Sequence, residues 1–170
     1  MPHSIRLRGP WKVKALARAV EQEGGDWELK SDRLQGPVIV QAPADWGEAL
    51  GGEFRGLVRY SRQFHRPTGL EASSRVWLVI EDVDFQAAVY LNEQPLGVVQ
   101  LAGSPIVGQV FNLPYTPIPC PARFDITSLL TTSNTLTLEI LLPPDTAALP
   151  RSSRDALPGG LIGLVRLEIE

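Results

Sequence analysis

Polar and apolar residues alternate with a period of two along much of this sequence. In residues 57–64, Val58, Tyr60 and Phe64 fall on one face, and Arg59 and Ser61 fall on the other. Side chains of a strand point alternately to opposite faces, so this pattern predicts a strand with one buried face. Similar segments rich in β-branched and aromatic residues follow at 75–80, 85–91, 96–101, 135–142 and 164–169.

Residues 11–20 also alternate, but two interpretations remain open there. The alternation of Lys12 and Lys14 with apolar neighbours favours a strand, whereas the alanine content and the acidic residues that follow would also suit a helix. With this segment included, at least seven strands are expected. Asn92-Glu93, with Gln94-Pro95 after it, is predicted to connect two antiparallel strands as a hairpin, because asparagine tolerates a positive φ.

Helical periodicity is confined to residues 126–130, where Asp125 or Thr127 could cap one short turn. An all-β fold, a jelly-roll β-sandwich, is therefore predicted, with residues 1–170 forming one domain. Residues 23–37 and 102–121 are expected to be long irregular loops, and 143–160 a crossover or flexible excursion before the last strand.

Composition excludes several classes of function. The chain has 170 residues and a formal net charge of −3, which provides no extended positive field for nucleic acid. Its single cysteine, Cys120, and two histidines form no disulfide and no zinc motif. No cofactor is expected, and a structural Ca²⁺ stays open, since carbonyl ligands leave no trace in a sequence.

The expected location is inferred from the composition of residues 1–20 and from the length of the apolar runs. Basic residues interrupt residues 1–20, so no apolar core of a secretion signal is seen, and a cytoplasmic location is expected. No run approaches the roughly 20 apolar residues that span a bilayer, so no membrane association is expected. The oligomeric state is left open.

Seven segments, in order, resemble the N-terminal sugar-binding domain of family-two glycoside hydrolases, the β-galactosidase and β-glucuronidase type. Residues 7–11 are similar to its L-x-G-x-W opening, and Val40-Gln41-Ala42-Pro43-Ala44-Asp45-Trp46 is similar to V-x-V-P-x-x-W. Residues 56–64 contain Tyr60-Ser61-Arg62-Gln63-Phe64, which is similar to Y-R-R-x-F. Residues 81–92 contain a matching Val89-Tyr90-Leu91-Asn92, and residues 122–130 contain a matching Phe124-Asp125-Ile126-Thr127. The last two matching segments are 134–140 and 159–168.

This resemblance implies a galactose-binding-like jelly roll and a non-catalytic role. In the family the catalytic carboxylates lie on a separate (β/α)₈ barrel of typically about 250 residues, which cannot fit in this chain. The sequence departs from the pattern in two places. Glu93 replaces the usual glycine after Asn92, and residues 102–121 are longer than the family's connection.

Sugar binding calls for an exposed aromatic face with polar side chains beside it. Six residues qualify by type and position as carbohydrate-binding candidates: Trp46, Asp45, Trp27, Phe111, Asn112 and Tyr115. Trp46 has an alternative role, closing one end of the sandwich, because aromatic residues are usually buried. The acidic cluster Glu81, Asp82 and Asp84 is interpreted as structural, and no catalytic residue is assigned.

The leading hypothesis is a non-catalytic carbohydrate-binding module that holds a saccharide with loop aromatics. The alternative is a structural or protein-interaction domain that has kept the fold and lost sugar binding, docking to another protein through its β-face or loops. A small enzyme with a site in residues 102–121 ranks third. The expected partner is thus a carbohydrate or another protein.

Overall fold

A computed structural model describes residues 3–25, 27–32, 34–41, 44–101, 111, 113–144 and 159–170. Strands dominate the described residues, and the one α-helix, α1 (Gly47–Leu50), has four residues. The strands are β1 (His3–Arg6), β2 (Trp11–Glu21), β3 (Trp27–Lys30), β4 (Val38–Val40), β5 (Ala44–Asp45), β6 (Gly56–His65), β7 (Val76–Ile80), β8 (Gln86–Leu91), β9 (Gln94–Gln100), β10 (Ile118–Pro119), β11 (Ala122–Asp125), β12 (Ser133–Leu142), β13 (Gly160–Leu161) and β14 (Val165–Ile169). Two short 3-10 turns cover Glu23–Gly25 and Thr127–Leu129.

Two sheets form a β-sandwich around one apolar core. The smaller sheet has the order β1-β14-β7-β11, and the eight-stranded sheet has the order β10-β9-β8-β12-β6-β2-β3 with β4 also paired to β2. The short strands β5 and β13 pair separately. Alternate residues of the central strands, such as Tyr60 on β6 and Leu138 on β12, are fully buried between the sheets. The all-β sandwich predicted from the alternation is confirmed.

The strand predictions are confirmed for every segment with clear alternation, and the structure decides the open case of residues 11–20. This segment is strand β2, in which Trp11, Val13 and Ala15 are buried while Lys12 and Lys14 are exposed. The interpretation of 23–37 as wholly irregular is wrong, because β3 pairs with the end of β2 inside that range. Strand β10 lies within 102–121, but residues 102–110 and 112 of that loop are outside the described residues.

The connection between β8 and β9 is a tight hairpin. Leu91 pairs with Gln94, so the loop consists of Asn92 and Glu93 alone, and the two strands are antiparallel as expected. Both loop residues have a positive φ, 51° for Asn92 and 68° for Glu93. Two central residues with φ above zero are what a type I′ turn requires, and this turn matches the twist of the strands it joins.

The single cysteine of the chain is buried in the core. Cys120 is 5% exposed, and burial, with the charge of Asp82 adding to it, raises the pKa of its thiol to about 12. The nucleophile is the thiolate, so we expect a thiol reagent at pH 8 to leave the folded protein unmodified over a period in which the denatured protein reacts fully. The absorbance of the chromophore that the reagent releases measures the reaction of the folded protein and that of the denatured protein. Rapid stoichiometric reaction of the folded protein would contradict the buried position.

Among the described residues, no helix has the length and apolar character needed to cross a membrane. Nor does the described part of the chain contain a group of three or more His, Cys, Asp or Glu side chains placed to hold a metal ion.

Candidate functional site

The face of the eight-stranded sheet that points away from the core is polar and spans four neighbouring strands. The register places Lys12 of β2 beside Ser61 of β6, Ser61 beside Thr137 of β12, and Thr137 beside Tyr90 of β8. Cross-strand partners point to the same face of a sheet, so these side chains form one continuous row.

A second row runs parallel to the first, one step further along the strands. It brings Lys14 of β2 beside Arg59 of β6, and Arg59 beside Glu139 of β12. Together the two rows place hydroxyl groups, an aromatic ring and charged side chains of both signs on one surface.

A groove of about 760 Å³ lies over this surface. Its sides and base come from β6, β8, β12 and the β8–β9 hairpin, so rigid sheet positions supply most of it. The lining residues are Arg59, Ser61, Tyr90, Asn92, Glu93, Thr135, Thr137 and Glu139. A site built on strands holds its side chains in more fixed positions than a site built on loops. We call this feature the sheet-face groove.

An ion pair fixes one part of the sheet-face groove. Nη2 of Arg59 lies 2.9 Å and Nε 3.3 Å from Oε1 of Glu139, and both nitrogens donate hydrogen bonds to that oxygen. The arginine side chain is 42% exposed and the glutamate 18%, so the pair adds little to stability. These bonds do not use Nη1 of Arg59 or Oε2 of Glu139, so the pair retains one further donor and one further acceptor.

Tyr90 is the aromatic residue of the sheet-face groove. It is half-buried, and burial raises the pKa of its hydroxyl, with a further rise from the charge of Glu139 and a smaller opposing effect from Arg59. The phenol is therefore neutral at ordinary pH and both donates and accepts hydrogen bonds. The ring supplies an apolar surface next to the polar row.

The hairpin end of the groove combines a structural asparagine with a strained glutamate. The side chain of Asn92 accepts a hydrogen bond from the backbone N–H of Thr135 (2.8 Å) and donates to Asn134 (3.0 Å), so it builds the turn. Glu93 is exposed with a φ of 68°. A left-handed conformation costs a residue with a Cβ about 1–2 kcal/mol, and such strain is concentrated at functional sites.

A second cleft, of about 670 Å³, lies near β4, β5 and α1. It contains Asp45, whose Oδ1 accepts a hydrogen bond from the backbone N–H of Gly47 (2.9 Å) and so supports the start of α1. Apolar and acidic side chains share this cleft, including Ile39, which is 60% exposed, and Glu48. None of the described residues that line it is aromatic.

Trp46 follows Asp45 but lies in the core. It is 0% exposed, and its ring packs against the Phe54 ring in a T-shaped arrangement with a centroid distance of 5.9 Å. A Cβ on Gly159 would lie 2.5 Å from the same indole ring, so the backbone packs directly against it. The ring therefore presents no face to a ligand in this structure, and its burial is compatible with the alternative role of closing one end of the sandwich.

Of the other sequence candidates, Trp27 lies on β3, at one edge of the eight-stranded sheet, and Tyr115 bonds to β9, near the opposite edge. Trp27 and Phe111 are half-buried and pack against the apolar core. Tyr115 is half-buried, and its hydroxyl donates to the carbonyl oxygen of Pro95 (3.2 Å), next to the strand that carries Tyr90. Asn112 lies outside the described residues.

Sequence reasoning missed the residues that form the sheet-face groove. Arg59, Tyr90 and Glu139 belong to strands that were predicted, on the side opposite the core positions. The signal that could have identified them is the polar half of each alternation, which the sequence analysis did not consider as a binding surface. The pairing of three strands that are distant in sequence was needed to bring them together.

The sequence matches no protein-family model. It also matches no curated protein. Solved structures do match. A β-glucuronidase from Bacteroides uniformis is 20% identical with a TM-score of 0.64, over 99% of this chain and 18% of that one. A rhamnosidase from Novosphingobium sp. PP1Y is 21% identical with a TM-score of 0.61, over 100% of this chain and 15% of that one. A GH2 β-galacturonidase from Eisenbergiella tayi is 17% identical with a TM-score of 0.60, over 98% of this chain and 24% of that one.

These matches confirm the fold expected from the sequence motifs. The chain has the fold of a segment within these much longer enzymes, and it spans only 15% to 24% of the three named chains. The described residues form a β-sandwich that contains no (β/α)₈ barrel.

Proposed function

We propose that this protein is a non-catalytic carbohydrate-binding domain and that it holds its saccharide in the sheet-face groove. The observation that carries the proposal is the placement of Tyr90 beside the Arg59–Glu139 ion pair in one groove. Saccharides combine apolar C–H faces with a ring of hydroxyl groups, so an aromatic ring next to fixed donors and acceptors suits them.

Each part of the groove has a distinct role in this proposal. The ring of Tyr90 packs against the C–H face of a sugar. Nη1 of Arg59 donates to one sugar hydroxyl, and Oε2 of Glu139 accepts from its neighbour. Ser61 and Thr137 extend the hydrogen bonding along the row. The ion pair holds its two side chains in place before the ligand arrives, which reduces the entropy lost on binding.

The proposal is tested with a glycan array followed by calorimetry on the saccharides that give a signal. We expect saturable binding of at least one class of oligosaccharide, with an affinity typical of an open groove, in the micromolar to millimolar range. Absence of binding across the array by correctly folded protein would overturn the proposal and favour the interaction-domain alternative.

The strained turn residue gives a test that separates function from stability. Glu93→Gly relieves about 1–2 kcal/mol of left-handed strain, while the added freedom of glycine in the unfolded chain costs about 0.5–1 kcal/mol. We expect the free energy of unfolding to rise by about 0.5–1 kcal/mol. We also expect saccharide affinity to fall, because a carboxylate acceptor is removed from the groove.

The matched control is Glu93→Gln, which keeps a side chain and the strained backbone but removes the charge. Urea denaturation should give an unchanged free energy of unfolding for this variant, whereas calorimetry should give weaker binding. If Glu93→Gly were more stable and bound saccharide as tightly as the original protein, Glu93 would have no role in the groove.

A further inference from the structure

Beside the sheet-face groove, on β2, lies a cluster of positive charge. Lys12 and Lys14 are exposed and point to the same face as the groove, because the register pairs them with Ser61 and Arg59, which line it. Lys14 lies directly opposite Arg59 in the register. We call Lys12, Lys14 and Arg59 the cationic cluster.

The charges on this surface are unequally distributed. The charge of Arg59 is partly balanced by its ion pair with Glu139, so the two lysines carry most of the excess positive charge at the β2 side. The opposite side of the groove carries Glu93 at the hairpin. Strands are spaced about 4.8 Å apart, so β2 and β8 are separated by roughly 14 Å, which a short oligosaccharide can span.

The cationic cluster also contains an unfavourable cross-strand pairing. Like charges directly opposite each other on neighbouring strands destabilise a sheet, and Lys14 and Arg59 form such a pair. An anionic group bound between them would relieve this repulsion. A hydroxyl group would not, because it carries no charge.

From this arrangement we propose that the groove takes an acidic saccharide, one that bears a carboxylate or sulfate group, and that this group binds at the cationic cluster. The inference rests on the proposed carbohydrate binding and adds the ligand class and its orientation. The acidic group lies over Lys12 and Lys14 on β2, and the sugar that packs on Tyr90 lies toward the hairpin.

The test is a glycan array that holds matched neutral, uronic-acid and sulfated forms of the same oligosaccharide backbones. Exposed charge pairs contribute modestly, so we expect a preference of about three- to tenfold for the acidic forms. The preference should shrink as salt is raised from 0.05 to 0.5 M, because salt screens exposed charges. The relative signals of the uronic-acid and sulfated forms identify which anion is preferred.

The double variant Lys12→Gln/Lys14→Gln should lose this preference while binding neutral backbones unchanged. Lys30→Gln is the control, because Lys30 is an exposed lysine of β3 paired with Glu28 (3.4 Å) and lies outside the cationic cluster. Equal binding of neutral and acidic forms by the original protein would overturn this inference and leave carbohydrate binding standing. Absence of binding to every form would overturn both.

Discussion

Tyr90→Ala is expected to weaken saccharide binding at least tenfold while leaving the fold intact. The ring is the only aromatic side chain among the described residues that line the sheet-face groove, and its removal takes away the apolar surface on which a sugar packs. A tenfold loss corresponds to about 1.4 kcal/mol. Because Tyr90 is half-buried on the outer face, circular dichroism and thermal unfolding should show a folded protein.

Two further tyrosine variants test whether the loss of binding comes specifically from removing the Tyr90 ring. Tyr90→Phe keeps the ring and should retain most of the affinity. Tyr115→Ala removes a half-buried tyrosine that bonds to Pro95, outside the groove, and should leave binding unchanged. The opposite outcome, binding lost with Tyr115→Ala and kept with Tyr90→Ala, would favour the loop site expected from the sequence and contradict the sheet-face groove.

Trp46→Ala is expected to lower the free energy of unfolding by about 3–5 kcal/mol, the usual cost of deleting a large buried aromatic side chain. The indole packs against Phe54 and the backbone of Gly159, so neighbouring atoms cannot collapse fully into the cavity that the substitution leaves. Urea denaturation measures the loss. A variant this unstable would lose ligand binding for reasons unrelated to direct contact.

Trp27→Ala provides the comparison. Trp27 is half-buried at the start of β3, so the same substitution should cost less, about 1–2 kcal/mol. A loss of under 1 kcal/mol for Trp46→Ala, or a loss no larger than that of Trp27→Ala, would contradict the buried position of Trp46.

Local patterns were sufficient to predict the fold. The alternation in residues 57–64 records which side chains enter the core, and this information is contained in neighbouring residues. The Asn92-Glu93 turn was likewise predictable from the residue types. Strand β3 was missed because Trp27–Lys30 is only four residues long and is exposed over most of its length, so its pairing with β2 leaves little pattern.

The site was harder to predict because it depends on register. Arg59 and Glu139 are 80 residues apart in sequence, and only the pairing of β6 with β12 places them in contact. Residue type left two roles open for Trp46, since an aromatic residue beside an aspartate suggests a sugar site whether or not the ring is exposed. Its burial depends on Phe54 and Gly159, which no local pattern connects to it.

Saccharide binding in the sheet-face groove is tested most directly by an NMR titration of ¹⁵N-labelled protein with the oligosaccharide that gives the strongest array signal. Amide shift changes are expected to cluster at Ser61, Tyr90 and Thr137, on three neighbouring strands. Shift changes centred on Asp45 and Glu48, or saturable binding without any change on these strands, would contradict a saccharide site in the groove.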